Sequence, residues 1–514
     1  MKRRSYELQF WKRSAMLVAG VLLSAMACRA EGPLIQPAER KAKAAEQADE
    51  SWEVMYFGNQ RVGYSHSSSR TVRTNGAELL RTVNESHLEF KRFGQSLKMA
   101  TILEIDETPQ GEWVGYRFEM KNPPAAPSHT VGRIEGSQLK LESVKAGIRS
   151  NSGMNWDREV KSPAHQERLL RDWRPEPGEN RTFKTFLPEL NQVTTVRLVA
   201  DEFRFVKLPD GSQKKLLKIT ITQSALPLVP VKAFIDETGE TWMTATEMFG
   251  QTLTTQKVDA AVALKDVAGG DLDIAVSTLV KVKSIPQGHA SRKVVYRVTT
   301  PGEDPTRQFV SSGGQSVKRI LPEVAEITVE AVPIPASNKS SDNPDESFRK
   351  PSAFLQSNDP AVIDHANRAS VGQTDSARIA RQMEEYVHDN LKKKNFSTAL
   401  ASAAEVAKSL QGDCTEHAVL LAAMLRARNI PSRIAVGLVY VEKLSSFGGH
   451  MWTEAWLDGK WVPLDATLGR GGTGAAHLKM GESSFADDAP APVVVFLPML
   501  RVLGRMTIDV VDSK

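Results

Sequence analysis

Apolar and polar positions alternate along much of the first half of the chain. Trp52-Glu53-Val54-Met55-Tyr56 alternates, Gly58-Asn59-Gln60-Arg61-Val62-Gly63 interrupts, and Tyr64-Ser65-His66-Ser67 resumes. A period of two broken by Gly and Asn predicts hairpins. The same texture returns at residues 112–120, 196–205, 216–222 and 231–246, with turns at Pro209-Asp210-Gly211 and Glu237-Thr238-Gly239. Residues 51–264 are therefore expected to form an antiparallel β-rich region of one or two units. A second, smaller β-rich module is expected over 265–335, from runs such as Val294-Val295-Tyr296-Arg297-Val298. Residues 336–351, rich in Pro, Ser, Asn and Asp, suit a linker. The pattern then turns helical. Asp359-Pro360 and Thr374-Asp375-Ser376 offer helix starts, and Ile379, Met383, Val387 and Leu391 recur at helical spacing. The apolar run 493–503 contains Pro498 and fits a buried strand or helix, not a membrane span.

The first thirty residues change the reading of charge and cysteine content. Lys2, Arg3, Arg4, Lys12 and Arg13 precede an uncharged apolar stretch over 15–27, with small residues at Ala25, Ala27 and Ala30. This order predicts a secretory signal peptide at 1–30, followed by a linker at 31–50. A retained N-terminal anchor is one alternative. Lipid attachment at Cys28 is another, although Ala25-Met26-Ala27 matches a Leu-led lipoprotein signal poorly. The formal net charge is +5, and residues 1–30 hold six basic residues and one acidic residue. The remainder is neutral overall, which argues against an electrostatic nucleic-acid binder. The chain has 2 cysteines, so removing Cys28 leaves Cys414 with no disulfide partner in a compartment that favours disulfides. The expected location is extracytoplasmic, periplasmic or secreted, with membrane contact only through Cys28 or an uncleaved signal.

Cys414 is then either an inert small hydrophobe or a nucleophile. Asp413 and Glu416 flank it at capping-box spacing, with Asp in place of Ser or Thr. Cys414 would open a helix running to about Asn429, where unpaired N–H groups and the helix dipole favour a thiolate. Residues 432–441 read as a strand, and His450 opens another that turns at Asp458-Gly459 and leads to Asp465. Pairing about that turn puts Thr467 opposite His450 and Asp465 on the diagonal, on the same face. An imidazole beside a carboxylate can take and return a proton, and a Cys–His–Asp set supports a thioacyl mechanism.

Gly412-Asp413-Cys414, Asn429-Ile430-Pro431-Ser432-Arg433, Gly449-His450-Met451-Trp452-Thr453-Glu454 and Trp461-Val462-Pro463-Leu464-Asp465-Ala466-Thr467 closely resemble the transglutaminase-like superfamily, in the order and spacing of its bacterial secreted members. The resemblance implies an α+β, papain-like core over 352–514, following the antiparallel β-rich region. It implies that Cys414 is the nucleophile, His450 the general acid/base and Asp465 the orienting carboxylate. It also implies acyl transfer from glutamine carboxamides, deamidation or peptide hydrolysis. The acidic calcium-binding loops of the animal enzymes are not recognisable.

Blander readings stand beside these. His417, on the same helix as Cys414, suits packing, since no second cysteine completes a zinc set; no metal and no cofactor are expected. Trp452 lines a substrate groove or packs the sheet. Two function classes follow. One is an extracytoplasmic thiol enzyme acting on protein or peptide amide bonds, with a protein, peptide or cell-envelope component as substrate. The other is a non-catalytic cell-envelope scaffold with the same fold.

Overall fold

A computed structural model describes residues 49–514, except 75, 123–124, 146–147, 209–210, 228, 266–271, 340–343, 394–400, 488, 490 and 491. The expected signal segment with Cys28, all but the end of the 31–50 linker, and Pro209-Asp210 lie outside the described residues.

The alternating half forms one antiparallel sheet, with 14 strands among the described residues. Its first strand, Asp49–Phe57, pairs on one side with Gln60–Thr74 and on the other with Gln251–Val258, the last strand of the sheet in chain order. From this seam the sheet extends two ways. One arm runs out to Ile148–Asn155 and the other back to Asn180–Leu187. Alternation sets which face is covered: in Gln95–Glu107, Leu97, Met99, Leu103 and Ile105 are buried. The arms bend toward each other. Trp113 and Tyr116 from one arm lie 5.9 and 5.7 Å from Phe186 of the other, so a single sheet encloses its own aromatic core.

A second sheet carries the chemistry-bearing motifs. Ser432–Val441 runs through its middle, fully buried but for its last residue. It pairs with Ser446–Leu457 on one side and His477–Ser483 on the other. Buried charges tie these three strands together: Arg433 Nε donates to Glu454 Oε2 at 2.7 Å, and Lys479 Nζ to Glu454 Oε1 at 2.9 Å. Helices Pro360–Ala369, Ser376–Asn390 and Cys414–Ala427 accompany this sheet. The first two begin at the expected caps, Asp359 accepting from Ala361 N and Asp375 from Arg378 N.

The stretch expected as a small β module divides its strands. Val280–Lys281 joins the second sheet, against Phe447 and Ser446. Lys293–Thr299, Gln315–Leu321 and Val324–Glu330 form a third sheet with Thr507–Ser513, at the C-terminal end of the chain. The strands of 293–330 and the end of the chain are thus one structural unit, because antiparallel pairing needs no proximity in sequence.

The two halves meet through backbone. Phe249 N donates to Leu500 O at 2.8 Å. Gly250 (φ +71°) and Gly504 (φ +81°) pass so closely that a Cβ on Gly250 would lie 2.6 Å from Gly504 O. Gly250→Ala should therefore lower stability by about 1–3 kcal/mol from backbone strain alone, with the clash added. Gly136→Ala takes a similar strain (φ +63°) into open space and should lower it less. Urea unfolding of both variants tests this.

Candidate active site

The helix bearing the thiol starts where the local chemistry places it. Asp413 Oδ1 accepts from Thr415 N at 2.9 Å, and Glu416 Oε2 accepts from Asp413 N at 2.9 Å, closing the capping box. Gly412 has φ +150°, and a Cβ there would lie 2.3 Å from that of Glu416. Gly, Asp and Glu around Cys414 thus form one device that fixes the first turn. His417 Nδ1 lies 2.5 Å from Asp413 O, within that same turn. Cys414 itself is half-buried.

His450 lies on Ser446–Leu457, whose Thr453 Oγ1 donates to Ala418 O of the thiol helix at 2.8 Å. The turn at Asp458 (φ 51°) and Gly459 (φ 75°) sets the register Trp456–Trp461 and Thr453–Leu464. Extended, that register would bring Thr467 opposite His450, but the chain leaves the ladder first. The ladder stops at Leu464, and Asp465 turns inward. Its Oδ2 lies 2.9 Å from His450 Nε2, and Cys414 lines the same cleft as His450, close enough to favour a charged imidazole. Burial opposes charge on His450, but the Asp465 carboxylate and Cys414 outweigh it and raise the imidazole to about 10. The three sequence-predicted residues are therefore brought together: the carboxylate holds the imidazole, and the imidazole and thiol line one cleft.

Two partners of Asp465 carry no local signal in the sequence. His477 Nε2 lies 3.0 Å from the same Asp465 Oδ2. It is buried, its Nδ1 has no hydrogen-bond partner among the described residues, and burial lowers its basicity, so as a neutral ring it donates to the carboxylate. Glu384 accepts from Asp465 N at 2.9 Å and from Gly472 N at 2.8 Å; burial pushes its carboxyl up to about 7. Only the fold brings these residues to Asp465. A third, Arg92, comes from the N-terminal sheet: its Nη1 lies 2.8 Å from Asp413 Oδ2.

Trp452 is placed away from the thiol. It is 3% exposed, stacks on His450 at 6.2 Å and meets His477 edge-on at 5.3 Å. It lines a separate small cavity with Lys479 and Glu454. Of the two readings, groove or sheet packing, this placement is the packing one, against the rings of His450 and His477. Cys414 and His450 open instead onto a cleft of about 880 Å³, including its mouth, to which the N-terminal sheet contributes Phe90, Leu97 and Phe249. The ligand atoms of His450, Asp465 and His477 lie within 4.8 Å of one another. At 2.9 and 3.0 Å the two imidazoles hydrogen-bond the carboxylate, so a cation there would displace the bonds that orient His450.

Residues 363–466 match the model of the transglutaminase-like superfamily. No curated protein matches the chain. Among solved structures, the chain is similar to a β-barrel-like protein of a domain of unknown function from Brucella abortus (11% identity, 42% of this chain and 98% of that one, TM-score 0.31). It is similar to a candidate cysteine protease from Cytophaga hutchinsonii (15% identity, 43% and 89%, TM-score 0.27). It is also similar to the periplasmic domain of TgpA from Pseudomonas aeruginosa (13% identity, 35% and 91%, TM-score 0.22).

Two outcomes follow from the geometry. Burial alone would raise the Asp465 carboxyl, but the two histidines hold it well below its ordinary value. A depressed carboxylate contributes stability that is complete above about pH 4 and lost as pH falls through its folded value. Asp465→Asn should therefore lose less stability than the parent between pH 4 and pH 3, read from urea midpoints. Arg92→Met leaves Asp413 buried without its cation and should cost about 3 kcal/mol. Adding Asp413→Asn should restore part of that in a double-mutant cycle.

Proposed function

Since the chain carries a transglutaminase-like domain at 363–466, we propose that it is an extracytoplasmic thiol enzyme acting on protein or peptide amide bonds. The observation that carries this reading is the His450 imidazole, bonded to Asp465 and lining one cleft with Cys414. A cationic imidazole beside a thiol is the setting in which cysteine nucleophiles act.

The steps follow from these positions. Cys414 Sγ attacks the amide carbonyl carbon and a C–S bond forms. The N–H of Cys414 itself, at the start of the helix, would donate to the developing oxyanion; those of Thr415 and Glu416 are taken by the Asp413 side chain. His450 gives its proton to the nitrogen as the C–N bond breaks, leaving a thioester and a free amine or ammonia. His450, now neutral, takes a proton from water. The resulting C–O bond replaces the C–S bond, which releases a carboxylic acid and restores the ion pair. Asp465 keeps the ring oriented throughout, and His477 and Glu384 keep Asp465 in place. Water as acceptor is favoured over an amine, because water is abundant and no residue marks an amine site. The basic and apolar order of residues 1–27 supports export.

Iodoacetamide tests the thiolate. Labelling of Cys414 should change by less than about threefold from pH 9 to pH 6. In His450→Ala it should fall about tenfold per unit below an ordinary thiol value near 8.5. A parent profile that also falls tenfold per unit would refute the reading. Release of new amino termini from a casein digest, against incorporation of a fluorescent amine, then separates hydrolysis from transfer.

A further inference from the structure

The cleft at Cys414 is built jointly by parts of the chain distant in sequence. Phe90, Leu97 and Phe249 come from the N-terminal sheet, and Phe496, Met499 and Leu503 from the segment after the second sheet. All six are at most 5–6% exposed, so the wall is packed from behind. Its tip is also fixed: Phe93 N and Gly94 N donate to the two carboxylate oxygens of Asp273 at 3.0 and 2.6 Å, and Lys91 N donates to Leu272 O at 3.0 Å. Apart from His450, the one charged side chain lining the cleft among the described residues is Arg92. Its guanidinium is committed to Asp413, which is 2% exposed. An anionic substrate group would have to compete with that buried carboxylate. A cationic one would meet the guanidinium. Neither finds an unshared counter-charge among the described residues, whereas most of the lining is apolar.

We infer that the N-terminal sheet makes this cleft a subsite for a bulky apolar side chain, aromatic or long aliphatic, next to the carbonyl that Cys414 attacks. The inference rests on the thiol-enzyme reading above and adds the substrate class. It gives the large β-rich half a role in selection. That half would set which amide reaches the thiol, while the transglutaminase-like domain breaks it.

The test uses the full mature chain and a series of N-acyl aminoacyl chloromethyl ketones, which alkylate an active-site thiol. The series carries Phe, Leu, Ala, Asp or Lys as the side chain beside the ketone. Iodoacetamide serves as the side-chain-free reference. The Phe and Leu reagents should label Cys414 at least about thirtyfold faster than the Asp and Lys reagents, the discrimination expected when a charge must enter an apolar pocket. Ala275, half-buried on the cleft rim, supplies the second measurement. Ala275→Phe narrows the cleft, so the ratio of Phe-reagent to Ala-reagent rates should fall about tenfold. Equal rates across the series, or a preference for Asp or Lys, with rapid iodoacetamide labelling at pH 6, would overturn the subsite and leave the thiol reading standing. Slow iodoacetamide labelling at pH 6 would overturn both.

Discussion

One buried carboxylate, Asp413, joins the two halves of this protein at its chemical centre. Oδ1 caps the helix that begins with Cys414, and Oδ2 takes the guanidinium of Arg92 from the N-terminal sheet. The cap fixes where the helix starts, and so where the sulfur lies. The ion pair fixes where the sheet lies relative to that sulfur. Burying Asp413 without either partner would be unfavourable by several kcal/mol. The helix start and the domain contact therefore form together, and a shift in one is felt in the other.

Asp465 plays the corresponding part on the opposite side of the thiol. Its Oδ2 accepts from two imidazoles, its Oδ1 accepts from Thr467 N, and its own N–H is held by Glu384. With so many donors, its carboxyl stays ionised despite burial. An ionised carboxylate in a low-dielectric setting is what makes His450 a strong proton acceptor. Trp452 stacks near His450, and the imidazole lines the cleft with Cys414.

The sequence carried the thiol, its helix and the His–Asp hairpin because each rests on short-range rules. A cap and its capping-box partner are three residues apart. A two-residue turn fixes a register that carries the chain back to Leu464, one residue short of Asp465. Arg92, Glu384 and His477 were not legible for the same reason in reverse. Each reaches the site through an element whose position depends on packing hundreds or tens of residues away. Trp452 was read as equally suited to groove or core, because alternation places a side chain on a face without saying what covers that face. The small β module was legible as strands. That Thr507–Ser513 completes it was not, since a short strand of mixed polarity at the end of a chain has no signature of its partner.

The division of labour between the halves follows from what each can offer physically. A helix start next to a hairpin supplies charges at fixed distances, which is what proton transfer needs. It offers little apolar area, because its own residues are spent on the fold: Val419 to Leu425 are buried in the domain. A curled sheet of alternating residues has apolar side chains on the face it encloses and, at its end, a hairpin tip that can reach outward. Arg92 and Phe93 sit at that tip, one neutralised against the cap of the thiol helix and the other beside the cleft. The same short segment thus anchors the contact and walls the opening. Reactivity and selectivity are built from different parts of the chain, and they meet at Asp413.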